Sequence, residues 1–234
     1  MNSIVKLEGV FKEYGQGEVA VHALRGVDLA VEAGAFAAVA GPSGSGKTTL
    51  LNIVSGLDRP SSGRVIVDGR EISSLDGAAL SRLRLARIGF VFQAYNLLPV
   101  LTAYENAEYV LMLQGRPVAE RREKVMAMLE RVGLGGMAHR FPRELSGGQQ
   151  QRVAIARAIV SEPALVLADE PTANLDSRTG AALLDLMAEF NSEKGVTFLF
   201  SSHDPQVLER ARRIIALKDG SVVGENASRV HAAG

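Results

Sequence analysis

Gly41-Pro42-Ser43-Gly44-Ser45-Gly46-Lys47-Thr48 decides how the rest of this chain is read. Two glycines bracket four residues, and a lysine and a hydroxyl follow at once, which is the spacing of a phosphate-binding loop, or P-loop. The flanks agree with it. Ala35-Phe36-Ala37-Ala38-Val39-Ala40 reads as a short buried strand, and Thr49-Leu50-Leu51-Asn52-Ile53-Val54 reads as the start of a helix.

The residue types suit a dense anion. Glycines let several backbone N–H groups approach without a Cβ in the way, and the following helix points its positive end at the same place. Lys47 is expected to reach terminal phosphates and the Thr48 hydroxyl to coordinate magnesium. A glycine-rich turn between strand and helix accounts for the glycines but not for the Lys-Thr pair.

Working outward, the apolar run Ala164–Ala168 ends in Asp169-Glu170. Carboxylates at a buried strand tip are what a magnesium site beside a P-loop needs: Asp169 to hold the metal, Glu170 to polarise an attacking water. The strand Arg87–Phe92 ends on Gln93, which either faces a ligand at the sheet edge or meets water. The strand Val196–Phe200 leads to His203, which is either structural or within reach of a γ-phosphate. Leu145-Ser146-Gly147-Gly148-Gln149 opens a helix with Ser146 as N-cap; it is either a plain capped helix or a second phosphate-receptive start serving a nucleotide held elsewhere. Tyr14, read as lying in a loop over 11–17, is either an ordinary surface residue or an aromatic for a base to stack on.

Strand-like alternation at Val5–Glu8 and Val27–Glu32 precedes the P-loop, and short strands follow at 64–69 and 87–92. From about Ala94 to Ser161 the pattern turns helical, with Val125, Met128, Leu129 and Val132 on one face, as in a helical insertion within an α/β core. Asp219-Gly220 between apolar runs predicts a hairpin, and residues after Gly224 a loose tail.

The chain has 234 residues, 26 Lys plus Arg against 26 Asp plus Glu, and no cysteine. Zero formal charge gives no push toward nucleic acid, and the missing cysteines remove disulfides and thiolate metal sites. No apolar run approaches the roughly 20 residues needed to span a bilayer, and the start lacks a signal-peptide pattern. The expectation is a cytoplasmic protein without a transmembrane segment.

Taken in order, Gly41 to Thr48, Gln93, Leu145 to Gln149, Leu165 to Glu170, Asn174 to Asp176 and His203 resemble the nucleotide-binding subunit of an ATP-binding cassette (ABC) protein, over about Ile4 to Val223. The resemblance implies a RecA-like P-loop NTPase core with an N-terminal antiparallel β subdomain and an inserted α-helical subdomain. Residues 1–224 would form one domain, with the core over about 1–93 and 162–224, the insertion over about 94–161, and a tail over 225–234. It implies an ATPase binding ATP and magnesium through Gly41, Pro42, Ser43, Gly44, Ser45, Gly46, Lys47, Thr48 and Thr49, with Thr48, Gln93 and Asp169 at the metal. Glu170, His203 and Lys47 would be catalytic, and Tyr14 would stack on adenine. Ser146, Gly147, Gly148 and Gln149 would close on the ATP of a second subunit, and Asp176 would lie at that interface.

Asn96-Leu97-Leu98-Pro99, Glu105-Asn106 and Gln149-Gln150-Gln151-Arg152 are similar to the lipoprotein-release, macrolide-export and cell-division ATPases. That likeness implies a homodimer around two ATP, at the cytoplasmic face of the membrane, powering a separate permease. The permease is expected to contact Tyr95 to Thr102. The alternative is a soluble or regulatory ABC ATPase acting on division machinery, DNA or ribosomes. The short spacing between Thr48 and Leu145, without heptads, and the zero charge give no support to a DNA-acting member.

Overall fold

A computed structural model describes residues 3–15 and 20–227. Two sheets are stacked around the helix that follows the P-loop. The first contains β1 (Ser3–Tyr14), β2 (Val21–Glu32), β4 (Ser62–Val67) and β5 (Arg70–Glu71), all antiparallel, in the order β2-β1-β4-β5. The second contains β3 (Phe36–Ala40), β6 (Ile88–Val91), β7 (Leu165–Asp169), β8 (Thr197–Ser202), β9 (Arg213–Lys218) and β10 (Ser221–Ala227), in the order β10-β9-β3-β8-β7-β6. Only β10 runs antiparallel to its neighbour there.

The central strands are apolar on both faces, as a parallel sheet covered on two sides requires. Phe36, Ala38, Val166, Ala168, Phe198 and Phe200 point to one apolar layer, and Ala37, Val39, Leu165, Leu167 and Leu199 point to the other. On the second side lie α1 (Lys47–Val54), α2 (Gly77–Arg87) and the inner face of the antiparallel sheet. The first side is covered by α3 (Ala103–Leu113), α4 (Val118–Arg131), α5 (Gly147–Ile159) and α6 (Ser177–Lys194). A short α7 (Pro205–Arg210) follows β8. The helices expected over 94–161 thus share one apolar layer with the parallel sheet, through Leu111, Leu129, Val153 and Ile155.

Three readings are corrected, and one helix was not anticipated. Tyr14 closes strand β1 instead of lying in a loop; Gln16 and Gly17 of that stretch lie outside the described residues. The tail does not begin at Glu225, because β10 continues to Ala227, which pairs with Arg213; residues 228–234 lie outside the described residues. The strand before Gln93 is Ile88–Val91, since Arg87 ends α2. Helix α2 itself had no counterpart in the sequence reading; Asp76 caps it by accepting the Ala79 N–H at 2.7 Å. The hairpin at Asp219-Gly220 is present, with φ of 49° and 80° in the turn and Lys218 paired with Ser221. Among the described residues no helix is long and apolar enough to cross a membrane.

Candidate functional site

Strand β3 lies between β8 and β9, so the loop after Ala40 emerges in the middle of the sheet's C-terminal edge, where α/β sheets bind ligands. Gly46 precedes α1 with φ 102°, and a Cβ there would stand 2.5 Å from the Ala23 carbonyl oxygen, so only glycine fits. Leu50 N–H bonds to Gly46 O at 2.8 Å, the first bond of the helical ladder. The amides of Lys47, Thr48 and Thr49 are therefore the first-turn donors a helix leaves for an anion. Lys47 folds back over the loop, its Nζ donating to Gly41 O at 2.8 Å and Pro42 O at 3.0 Å. Ser45 Oγ is buried without a hydrogen-bond partner, an orphaned polar atom inside the loop.

The acids at the end of β7 face this loop. Asp169 Oδ1 accepts from Thr48 Oγ1 at 3.1 Å and from Ser201 Oγ at 2.6 Å. Ser201 sits on β8 directly opposite Asp169 and also accepts the Glu170 N–H at 3.0 Å. Glu170 has φ 45°, a left-handed conformation that costs a non-glycine residue roughly 1 kcal/mol or more. It turns the carboxylate back to the loop, with Oε1 2.9 Å from His203 Nδ1 and 3.8 Å from Lys47 Nζ. Lys47, Thr48, Asp169, Glu170 and His203 are thus brought together as expected. Ser201, which joins both acids, was missed.

The oxygens of Thr48 and Asp169 are hard donors that suit Mg2+. Among the described residues no cluster of three His, Cys, Asp or Glu could hold a metal.

Gln93 is exposed just beyond β6, and its carbonyl oxygen accepts from Asn174 Nδ2 at 2.9 Å. Tyr95 and Asn96 follow with φ of 60° and 48°, and their carbonyls take the Arg157 guanidinium at 2.9 and 2.6 Å. Burial pushes the Arg157 guanidinium below its ordinary value. Arg157 therefore ties α5 to the segment after Gln93, a role the sequence reading did not assign.

Ser146 caps α5 reciprocally: Gln149 N–H donates to Ser146 Oγ at 3.3 Å, and Ser146 N–H to Gln149 Oε1 at 2.9 Å. Asp176 caps α6, accepting from Thr179 Oγ1 at 2.6 Å and from the Thr179 and Arg178 N–H groups at 3.0 and 3.1 Å. The Thr179 hydroxyl and these N–H groups hold the Asp176 carboxyl below the usual range. A Cβ on Gly148 would stand 2.5 Å from Thr179 Cγ2, so glycine lets the two helix starts meet. Gly147, Gly148, Gln149, Asn174 and Asp176 line a cavity of about 410 Å3. Among the described residues no hydrogen bond or ion pair joins 146–149, at the start of α5, to 41–49, at the start of α1. Gln151, buried in α5, donates to Pro171 O at 2.6 Å and links the second start to the segment after Glu170. Tyr14 is 41% exposed, with its hydroxyl donating to Asp58 Oδ2 at 2.6 Å.

Residues 24–173 match the family model described as ABC transporter. The chain is 50% identical over 226 residues to the lipoprotein-releasing system ATP-binding protein LolD of Anaeromyxobacter dehalogenans, covering 96% of this chain and 95% of that one. It is 44% identical to a macrolide export ATP-binding/permease protein MacB of Hyphomonas neptunium, covering 98% of this chain but 36% of that longer protein. The fold matches the ATP-binding cassette MJ0796, solved as a dimer in a post-hydrolysis state bound to ADP and Pi. The TM-score is 0.90 at 44% identity, over 97% of this chain and all of that one. The chain belongs to the ABC transporter family and is one of its ATP-hydrolysing, ATP-binding members.

Proposed function

We propose that two copies of this chain sandwich two ATP molecules, each held between the P-loop of one copy and the Ser146–Gln149 turn of the other, and that closure and reopening drive a separate membrane permease. The observation that carries this reading is that Ser146–Gln149 forms a second capped, glycine-bearing helix start, at α5, with no hydrogen bond or ion pair among the described residues to the P-loop at α1. A second copy supplies what each lacks.

In this reading Lys47 leaves the carbonyls of Gly41 and Pro42 for the phosphate oxygens, and the α1 amides cradle them. Magnesium, held by Thr48, Asp169 and Gln93, would neutralise charge on the phosphates. Glu170 orients and polarises the attacking water, with His203 beside it. Gln149 and Asp176 shape the opposing surface, and Tyr14 stacks on adenine. Residues 1–224 act as one domain, at the cytoplasmic face of the membrane through the permease.

The likeness to LolD and MacB supports a lipoprotein-release or macrolide-export type of permease. Its contact is proposed at Tyr95–Thr102, where Leu98 and Val100 are 41% and 78% exposed. Next to it Phe90, Phe92, Val110 and Arg157 line a groove of about 210 Å3 suited to a short helix. The test is to tag Glu170→Gln, add ATP and magnesium, solubilise membranes and identify what copurifies. A stoichiometric permease, lost on Leu98→Asp/Val100→Asp, is expected. Ribosomal or DNA-associated proteins in its place would overturn the permease reading.

A further inference from the structure

Lys12 and Tyr14, two apart on β1, lie on one face of that strand. Opposite them stands Asp58, in the turn that closes α1, where the N–H groups of Leu57 and Asp58 both bond to Asn52 O at 2.9 and 3.1 Å. The three side chains form a closed set. Tyr14 donates to one Asp58 oxygen at 2.6 Å, and Lys12 donates to the other at 2.7 Å and to Arg59 O at 2.9 Å. The Lys12 ammonium also lies 4.6 Å from the centre of the Tyr14 ring, a cation–π distance. Ser61 fastens the same turn to β1, donating its N–H to Phe11 O at 2.8 Å and accepting the Glu13 N–H at 3.0 Å.

An ordinary surface tyrosine has no need of this. A side chain that must meet a flat ligand gains by being held in place beforehand, because the ordering cost is then met before binding. With Lys12 against one ring face, a base must use the other. Lys12 also neutralises the Asp58 carboxylate, its Nζ lying 2.7 Å from Oδ1.

We propose that Asp58 and Lys12 are positioning residues that fix the Tyr14 ring, as the platform for a nucleotide base, at a set place relative to the phosphate loop. The link is mechanical: Asp58 is carried by the turn at one end of α1, and the first turn of α1 faces the phosphates. This rests on the reading of Tyr14 as the base-stacking residue. The titration behaviour agrees. Burial and the Asp58 carboxylate push the Tyr14 hydroxyl up, against the neighbouring Thr49 hydroxyl. Burial pushes Asp58 up too, but bonds from Lys12, Tyr14 and the Arg59 N–H outweigh it and hold the carboxyl low.

The experiment measures the affinity of the full chain for ATP and for inorganic tripolyphosphate, which has no base, by competition against a fluorescent ATP analogue with magnesium present. Tyr14→Ala should weaken ATP by about tenfold, the scale of one lost base stack, and leave tripolyphosphate unchanged. Asp58→Asn and Lys12→Met should each weaken ATP by about threefold, again sparing tripolyphosphate. Asp58→Asn should add nothing in the Tyr14→Ala background. Equal losses for ATP and tripolyphosphate, or an Asp58 effect that persists without Tyr14, would overturn the positioning role. So would Asp58 and Lys12 variants that bind ATP normally while Tyr14→Ala does not. If Tyr14→Ala itself binds ATP normally, the stacking reading falls, and this one with it.

Discussion

At 14% side-chain exposure, the Glu170 carboxylate faces both Lys47 and His203 in a left-handed backbone conformation. Glu170→Gln keeps the shape and removes the charge that acts on water, so it should bind ATP while turnover falls by about 100-fold or more in a phosphate-release assay. Near-normal release would take the general-base role from Glu170. Lys47→Ala loses charge-assisted bonds worth roughly 1.5–3 kcal/mol each, so ATP affinity should drop at least about tenfold by calorimetry. Ser201→Ala should lower turnover by about tenfold and ATP affinity much less, since the buried hydroxyl positions the acids by joining Asp169 to the Glu170 N–H. The Asp58 carboxyl, with its folded value depressed, keeps its tether above the ordinary carboxylate range and loses it only as pH falls through the depressed value. The loss of ATP affinity caused by Asp58→Asn should therefore be the same from about pH 5 to 8, each pH compared with the unsubstituted protein. Lys47, Thr48, Asp169 and Glu170 were legible because spacing fixes their chemistry. Ser201 was not, because its role comes from the register that sets it opposite Asp169 on a strand distant in sequence.

At the scale of elements, Arg157 holds the Tyr95–Asn96 end of the segment from Tyr95 to Thr102, and one buried side chain braces the rest. Asn106, on α3, accepts the Leu98 N–H at 2.8 Å and donates to the carbonyls of Leu98, Leu101 and Thr102 at 3.1, 2.9 and 2.9 Å. Asn106→Ala leaves the Leu98 N–H and the Leu101 carbonyl without a partner, while Leu98 O keeps the Leu101 N–H and Thr102 O keeps the residue-106 N–H; it should cost about 1–3 kcal/mol by urea unfolding, with weaker permease recruitment. Recruitment unchanged at full stability would show that the segment needs no brace. The strands β3, β7 and β8 were readable from continuous apolar runs, and the start of α5 from Ser146 and its glycines. Helix α2 was not, because only Leu80 and Leu83 of it are buried, too short a stripe to show a period. Strand β10 extends past its expected end because the ladder with β9 holds Glu225 and Asn226, whose side chains carry no strand signal.

For the whole molecule, the P-loop group and the Ser146–Gln149 helix start are each well formed, and the segments that carry them are joined. Gln151 reaches Pro171 from α5, and Asn174 reaches Gln93 from the loop before α6. Arg157 adds a further tie, from α5 to the carbonyls of Tyr95 and Asn96. The most direct test of the central claim is the molar mass of Glu170→Gln by light scattering, with and without ATP and magnesium, beside the same protein carrying Gly148→Trp. The account predicts that ATP doubles the mass of Glu170→Gln and leaves the Gly148→Trp form a monomer that still binds ATP. A Glu170→Gln protein saturated with ATP that remains at the mass of one chain would contradict it.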